Sequence, residues 1–317
     1  MNRRDRTSPE QYFLITRQMR ERALKTSSVQ WLLDKMPNQI KKDLVQAFLK
    51  GEYKNKTQIV DYFISISDIA KAIVADRGGA DIFDYLYHNK PILDLDKKPL
   101  DTYYLNNDSG KQIYMRLLTM QRYLPELLQK ISKEFPDEII YVDNVGSGQG
   151  LDMIGVLRDN PHLRDFVHVR NVDPNTHALE VGLNRITEYG LNSNFELVNS
   201  VTSKCKKREA HLLIGSGYFC PMSIALSKRV AKNDFDPLVR SGGYILYNAT
   251  TLRMLYIGLF TDFTMRILGW HMGYKTEIEI NSIAEYAGWS IEDVFFDADE
   301  TGENVVGFNQ MVVAKKY

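Results

Sequence analysis

The sequence predicts an α/β protein: a mostly parallel, seven-stranded sheet wound with helices, ending in an antiparallel hairpin and preceded by an all-helical N-terminal region. Three observations predict it. Apolar residues recur every three or four positions through the first third. After Pro136, apolar strand-like runs alternate with helical stretches. The last two runs, Trp289–Asp297 and Phe308–Lys315, are joined by a polar, glycine-containing connection with no helix between them.

In chain order, Ser8-Pro9-Glu10-Gln11 reads as a helix start, with a capping hydroxyl, proline at the first helical position and glutamine three residues after the cap. Pro37 opens a second helix whose Ile40, Leu44, Ala47 and Phe48 share one face, and Gly51 closes it. Thr57 starts a third, carried by Val60, Phe63, Ile66, Ile69 and Ile73 to Gly78-Gly79. From His88 to Gly110 the periodicity dissolves into prolines, aspartates and Asn106-Asn107-Asp108-Ser109-Gly110, which predicts a long loop. The domain junction is expected there, giving a helical region 1–110 and a sheet domain 111–317. A helix over about Lys111–Phe135, bent at Pro125, leads into that second domain. The predicted strands are Glu138–Asp143, Phe166–Asp173, Phe195–Asn199, Ala210–Ile214 and Gly243–Asn248, followed by the hairpin. Helices are expected at Leu151–Asn160, Asn175–Tyr189 and Phe219–Lys232, and the stretch Leu252–Trp270 reads as one buried helix.

Composition narrows the function classes. Lysine plus arginine and aspartate plus glutamate number 40 each, so the formal net charge is zero. A grip on a phosphate backbone usually needs a basic surplus, so no nucleic-acid partner is expected. Two cysteines, Cys205 and Cys220, make neither a disulfide framework nor a four-cysteine zinc site. A cytoplasmic setting is the expectation. No apolar segment follows the charged start as in a signal peptide, and none is long enough to span a membrane. No metal site is expected.

The chemistry concentrates in Ile139-Ile140-Tyr141-Val142-Asp143-Asn144-Val145-Gly146-Ser147-Gly148-Gln149-Gly150. An apolar strand runs into three alternate glycines and then a helix. Glycine serves where the backbone turns sharply or meets a ligand without a Cβ in the way. The helix start leaves free amides for a polar ligand. The dinucleotide fingerprint places its third glycine one position later, where this chain has Leu151. Asp173 ends the second strand, about 20 residues after the loop, where a carboxylate suits the vicinal hydroxyls of a ribose. Beside Pro174 it reads equally as a helix cap. Glycine loop and acidic strand end together indicate a nucleoside-containing ligand.

The segment from Ile139 to Lys316 resembles the class I S-adenosylmethionine-dependent methyltransferases, which have a Rossmann-like fold. Asn144 to Gly150 is similar to their first motif, and Asn171-Val172-Asp173-Pro174-Asn175 to their second. Leu212, Ile214, Gly215, Ser216 and Gly217 sit where their fourth strand ends, and Leu238 to Ile245 resembles their approach to the fifth. The resemblance covers a little over half the chain. It implies S-adenosylmethionine as cofactor. Gly146, Ser147, Gly148 and Gly150 would line its methionine end, and Asp173 with Pro174 its ribose. Asn199 and Ser200 would lie near the adenine, with Ser216, Gly217 and Tyr218 at the mouth. Asn144 stands where the family usually has an acidic residue for the methionine amino group. Asparagine still accepts a hydrogen bond there but brings no charge. Asp143, one position earlier, should face the other side of the strand.

A looser resemblance joins Phe83–Pro91 and Leu100–Asn106 to a bacterial family of methyltransferases whose members are sometimes fused to an α/β-hydrolase domain.

The sequence singles out no general base. His271, His211 and Tyr218 are candidates, with a structural role the alternative for each, and His88, Tyr103 and Tyr104 lie in the predicted loop, where they would cover the site. The acceptor is expected to be a small, partly apolar molecule. Leu252–Met272 is rich in Leu, Ile, Phe, Met and Trp, although core packing explains the same residues. The N-terminal helices are expected to form a lid, a homodimer surface or both. Alternatives are a nicotinamide-dependent oxidoreductase, a nucleic-acid methyltransferase lacking the usual Asn/Asp-Pro-Pro-aromatic run, and a non-catalytic binding protein on the same fold.

Overall fold

The computed structural model describes residues 15–54, 56–76, 79–88 and 98–317. The expected helix start at Ser8–Gln11 and the middle of the predicted long loop lie outside them. The chain divides into two compact units. One holds the described residues up to Tyr114 together with Leu252–Tyr274, and the other Met115–Thr251 together with Lys275–Tyr317.

The first unit is helical. Its N-terminal helices are α1 (Arg17–Leu24), α2 (Ser27–Asp34), α3 (Asn38–Lys50), α4 (Thr57–Ile66), α5 (Asp68–Ala75), α6 (Ala80–His88) and α7 (Pro99–Asn106). Gly51 ends α3 in the left-handed conformation, as predicted. The helix predicted from Thr57 to Gly78 is two helices. At Ser67 the backbone is extended, and the Ser67 hydroxyl caps α5 by accepting the Ala70 N–H at 2.8 Å. Asp101 reinforces the break by accepting the Asp68 and Ile69 N–H groups and the Ser67 hydroxyl.

That aspartate belongs to a segment predicted as loop. Residues 99–106 are a helix, started by Pro99 in its first turn, and the following helix already begins at Asp108. Tyr103 and Tyr104 are therefore buried in the helical unit. Their hydroxyls bond Thr261 and Thr264, each at 2.9 Å. The single helix expected over 252–270 is also two, α12 (Leu252–Ile257) and α13 (Leu259–Ile267), separated by the non-helical Gly258.

The helix α8 (Asp108–Glu134) keeps Pro125 inside it and leads to the sheet. The second unit then runs β1 (Ile140–Val145), α9 (Leu151–Asp159), β2 (Val167–Asp173), α10 (Thr176–Glu188), β3 (Phe195–Asn199), β4 (Ala210–Gly215), α11 (Ile224–Val230), β5 (Val239–Thr250), α14 (Glu277–Ala287), β6 (Ser290–Ala298) and β7 (Val305–Lys315). The strand order is β3-β2-β1-β4-β5-β7-β6. β1 to β5 pair in parallel, and β7 enters antiparallel between β5 and β6. This is the seven-stranded Rossmann-like sheet with its terminal hairpin.

Period-two alternation divides the core. Ile140, Val142, Leu212, Ile214 and Leu246 face the apolar stripe of α8 (Met120, Leu124, Leu128, Ile131) and the inner face of α9. Val145, Leu213, Ile245 and Tyr247 face α14 and Phe219, Phe235 and Leu238. Between β3 and β4 the described chain makes only a short 3₁₀ turn, Thr202–Lys204. On the sheet surface near it, Asp143 of β1 meets Arg170, its register partner on β2. The guanidinium donates to both carboxylate oxygens, Nε to Oδ1 at 2.9 Å and Nη2 to Oδ2 at 2.5 Å, and both side chains are buried.

Removing one member of a buried pair strands the other's charge, which costs about 3–5 kcal/mol. Arg170→Met should lower the denaturant midpoint accordingly. The double variant Asp143→Leu/Arg170→Met should recover most of the loss, because no unpaired charge then remains.

Candidate functional site

The parallel strands end together, and the strand order reverses between β1 and β4. In open α/β sheets the crevice beyond the carboxyl ends of the strands at such a reversal is where ligands bind. Asn144, Gly146, Ser147, Gly148 and Gly150 follow from the end of β1, Asp173 and Pro174 from β2, Asn199 and Ser200 from β3, and Ser216 from β4. The residues singled out in the sequence thus share one edge of the sheet.

The glycine loop needs its glycines for different reasons. Gly146, Gly148 and Gly150 all have left-handed backbone angles, with φ of 61°, 56° and 72°. A Cβ on Gly146 would stand 2.6 Å from the Tyr218 ring, and one on Gly150 would stand 2.2 Å from Asn171 Nδ2. A Cβ on Gly148 would meet nothing within 4 Å, so the crest of the loop faces open space. The N–H groups of Gly146 and Ser147 both donate to the Val172 carbonyl, at 2.8 and 3.3 Å, which binds the loop to β2.

Asp173 completes that attachment. Its Oδ2 accepts the Gly148 N–H at 2.8 Å and its Oδ1 accepts the Asn175 N–H at 2.8 Å. The helix-cap alternative falls to Asn175, whose side chain accepts the Ala178 N–H. Asn199 Nδ2 donates to the Pro174 carbonyl and to Thr176 Oγ1, which ties the end of β3 to the start of α10. Ser200 N–H donates to the Asp173 carbonyl.

Asn144 and Asp143 point to opposite faces, as alternation requires. Asn144 is 1% exposed, and its Nδ2 donates to Asp152 Oδ1 at 2.9 Å and to Asn171 Oδ1 at 3.1 Å. Among the described residues Asn144 Oδ1 and Asn171 Nδ2 have no hydrogen-bond partner. Asp152, in the first turn of α9, also accepts the Met153 N–H on Oδ1. Burial pushes the Asp152 carboxyl up, while those hydrogen bonds and the Arg116 charge pull it down. The buried Arg116 of α8 lies against Gly217, where a Cβ would stand 2.8 Å from its Nη1. Its charge also acts on the buried Asp297. From Asp297 a chain of side-chain bonds runs through Asn309 and Asn248 to the Gly217 N–H, fixing the backbone just after Ser216.

Asp152, Arg116 and Asn248 are therefore parts of this edge that reading the sequence did not find, while Asn171 stood within the second motif. Arg116 did carry a signal, since it falls on the apolar stripe of α8 between Ile113 and Met120. Asp152 read as an ordinary acid in a helix's first turn.

The base candidates fare less well. Tyr218 donates its hydroxyl to Thr202 Oγ1 at 2.9 Å, and burial raises its pKa. His211 begins β4 at the opposite end of the sheet. Its Nδ1 accepts the Tyr141 N–H, and burial lowers its pKa. His271 lies in the helical unit, within 3.3 Å of the Arg266 guanidinium and edge-on to Tyr53.

No family model matches the sequence, and no curated protein matches it. Solved structures do match. A possible exported protein from Bordetella parapertussis is similar over 98% of this chain and 99% of its own, at 15% identity and a TM-score of 0.61. Magnesium protoporphyrin IX methyltransferase from Synechocystis PCC 6803, with bound SAH, is similar over 78% of this chain and 100% of its own, at 12% identity and a TM-score of 0.54. At such identities the likeness is one of fold, and the fold is that of the class I S-adenosylmethionine-dependent methyltransferases.

A left-handed residue other than glycine costs about 1–2 kcal/mol. Gly148→Ala should pay only that strain. Gly150→Ala should lose more, because its methyl also collides with Asn171. Thermal unfolding of the two variants side by side checks the order.

Proposed function

We propose that this chain binds S-adenosylmethionine at the glycine loop and transfers its methyl group to a small, partly apolar acceptor. The observation that carries the reading is the Asp173 carboxylate holding the Gly148 N–H beneath a loop crest open to space. Asp173 ends β2 about 20 residues after the glycine loop, where a carboxylate suits the vicinal hydroxyls of a ribose. The similarity in fold to a methyltransferase with bound SAH supports the same cofactor. The nicotinamide alternative loses support from the sheet, since the dinucleotide fold orders its strands 3-2-1-4-5-6, without an antiparallel strand set between the fifth and sixth.

When bound, the cofactor supplies an already activated methyl group, so the protein's task is alignment and exclusion of water. Gly148 leaves room for the ligand chain, and Asp173, with the Asn199 amide behind Pro174, sets the nucleoside end. The Tyr218 ring, locked by Thr202 and lying against Gly146, walls the side facing β4. No side chain described at this edge is assigned as a base, so the proposal favours an acceptor whose nucleophile needs none. The two cysteines, both free, agree with the reducing, cytoplasmic setting that we assign with this function.

Titration calorimetry tests the reading. Wild-type protein should bind S-adenosylmethionine or S-adenosylhomocysteine and not NADH. Asp173→Ala should weaken that binding by at least about tenfold, the worth of one charge-assisted hydrogen bond. Absence of binding by folded wild-type protein would sink the methyltransferase reading.

A further inference from the structure

The loop that follows β4 carries Ser216, Gly217 and Tyr218 half-buried, between the buried Gly215 on one side and the buried Phe219 and Cys220 on the other. Its main chain is held on both sides of Tyr218. Before that residue, the Gly217 N–H donates to Asn248 Oδ1 at 2.6 Å. After it, Lys275 Nζ donates to the Phe219 carbonyl at 2.8 Å. Between the two anchors, the Tyr218 hydroxyl donates to Thr202, and the ring lies where a Cβ on Gly146 would stand 2.6 Å from it. One aromatic side chain thus joins the turn after β3 to the glycine loop after β1.

Lys275 reaches Phe219 from a rigid base. Its N–H donates to the Thr250 carbonyl at the end of β5 at 3.0 Å, and the next residue, Thr276, opens α14 in a capping box with Glu279. The Lys275 side chain is 1% exposed. Burial pushes its pKa down to about 8, so at neutral pH the ammonium carries a desolvation cost that a methionine in its place would not. Packing alone therefore does not account for a lysine here. The Phe219 carbonyl also accepts the Met222 N–H at 3.1 Å, so its satisfaction does not depend on the amine either. What the amine adds is a tie between the loop after β4 and the end of β5.

We propose that Lys275 is a positioning residue of the ligand edge: together with Asn248 it fixes the main chain around Tyr218, so that the ring stands preformed as one wall of the cofactor site. The inference rests on the cofactor reading above. Lys275 acts through Tyr218 and touches no ligand itself. A wall fixed in advance lowers the ordering cost of binding, and a wall released raises it.

Calorimetry with S-adenosylhomocysteine in a double-variant cycle tests the coupling. Lys275→Met should bind about fivefold or more weakly than wild type. Its unfolding temperature should stay within about 3 °C of wild type. In the Tyr218→Ala background the same substitution should change affinity by less than about twofold, because the residue it acts through is gone. Hydrogen exchange reads the tie without any ligand. Lys275→Met should speed exchange across residues 216–222 by about tenfold and leave β1 and β5 as they were. Unchanged affinity in Lys275→Met would overturn the proposal, and so would an equal loss in both backgrounds. If Lys275→Met does not fold, Lys275→Leu replaces it in the cycle, and failure of both to fold makes the residue a purely structural one and overturns the proposal. Failure of folded wild-type protein to bind S-adenosylhomocysteine sinks the cofactor reading instead, and the exchange measurement then decides alone whether the tie exists.

Discussion

One carboxylate fixes the geometry on which the rest of the candidate site depends. Asp173 takes the Gly148 N–H on one oxygen and the Asn175 N–H on the other, so a single side chain sets the glycine loop against the end of β2. Three left-handed residues in five would make a loose loop if left to themselves. Bonds from Gly146, Ser147 and Gly148 to one short stretch of β2 limit that freedom and leave the crest facing outward. Preorganisation of this kind lowers the entropy a ligand must remove on binding.

Behind the loop, the sheet's α8 face changes character along its length. Over most of β1 and β5 it is apolar, filled by Ile140, Val142 and Leu246. Toward the carboxyl ends it becomes polar, with Asn144, Asn171, Asn248 and Asn309. Two acids, Asp152 and Asp297, are buried in that layer, and Arg116 is the cation whose charge reaches both. Buried charge survives when it is paired or hydrogen-bonded, and the asparagines provide those bonds. The layer's stability therefore follows from the same groups that shape the ligand edge. The orphaned atoms of Asn144 and Asn171 are its exceptions, and unsatisfied buried polar groups are expected where a site gives up stability for function.

The opposite sheet face solves a different problem. With only a short turn between β3 and β4, Asp143 and Arg170 satisfy one another across neighbouring strands. The aspartate beside the glycine motif is thereby committed to structure, on the face opposite Asn144, as strand alternation predicts.

Local rules carried the prediction of the sheet. Strands β1 to β5, the terminal hairpin, the glycine loop and its acidic partner were legible because period-two alternation and left-handed glycines depend on neighbours in sequence. The same rules misread Thr57–Gly78 as one helix and the stretch after Lys98 as loop. A helix break capped by Asp101, more than thirty residues away, leaves no local mark. Short helices such as Pro99–Asn106 take their stability from tertiary packing more than from propensity. Arg116, Asp152 and Asn248 escaped for a related reason, since each looks ordinary beside its sequence neighbours. The sequence by itself determined the fold class and put the residues it singled out at the carboxyl ends of the parallel strands. Only the tertiary structure decided which partners the two faces of β1 meet, Arg170 for Asp143, and Asp152 with Asn171 for Asn144. That choice depends on partners brought together from α8, α9 and β2, whose proximity is a property of the packed sheet.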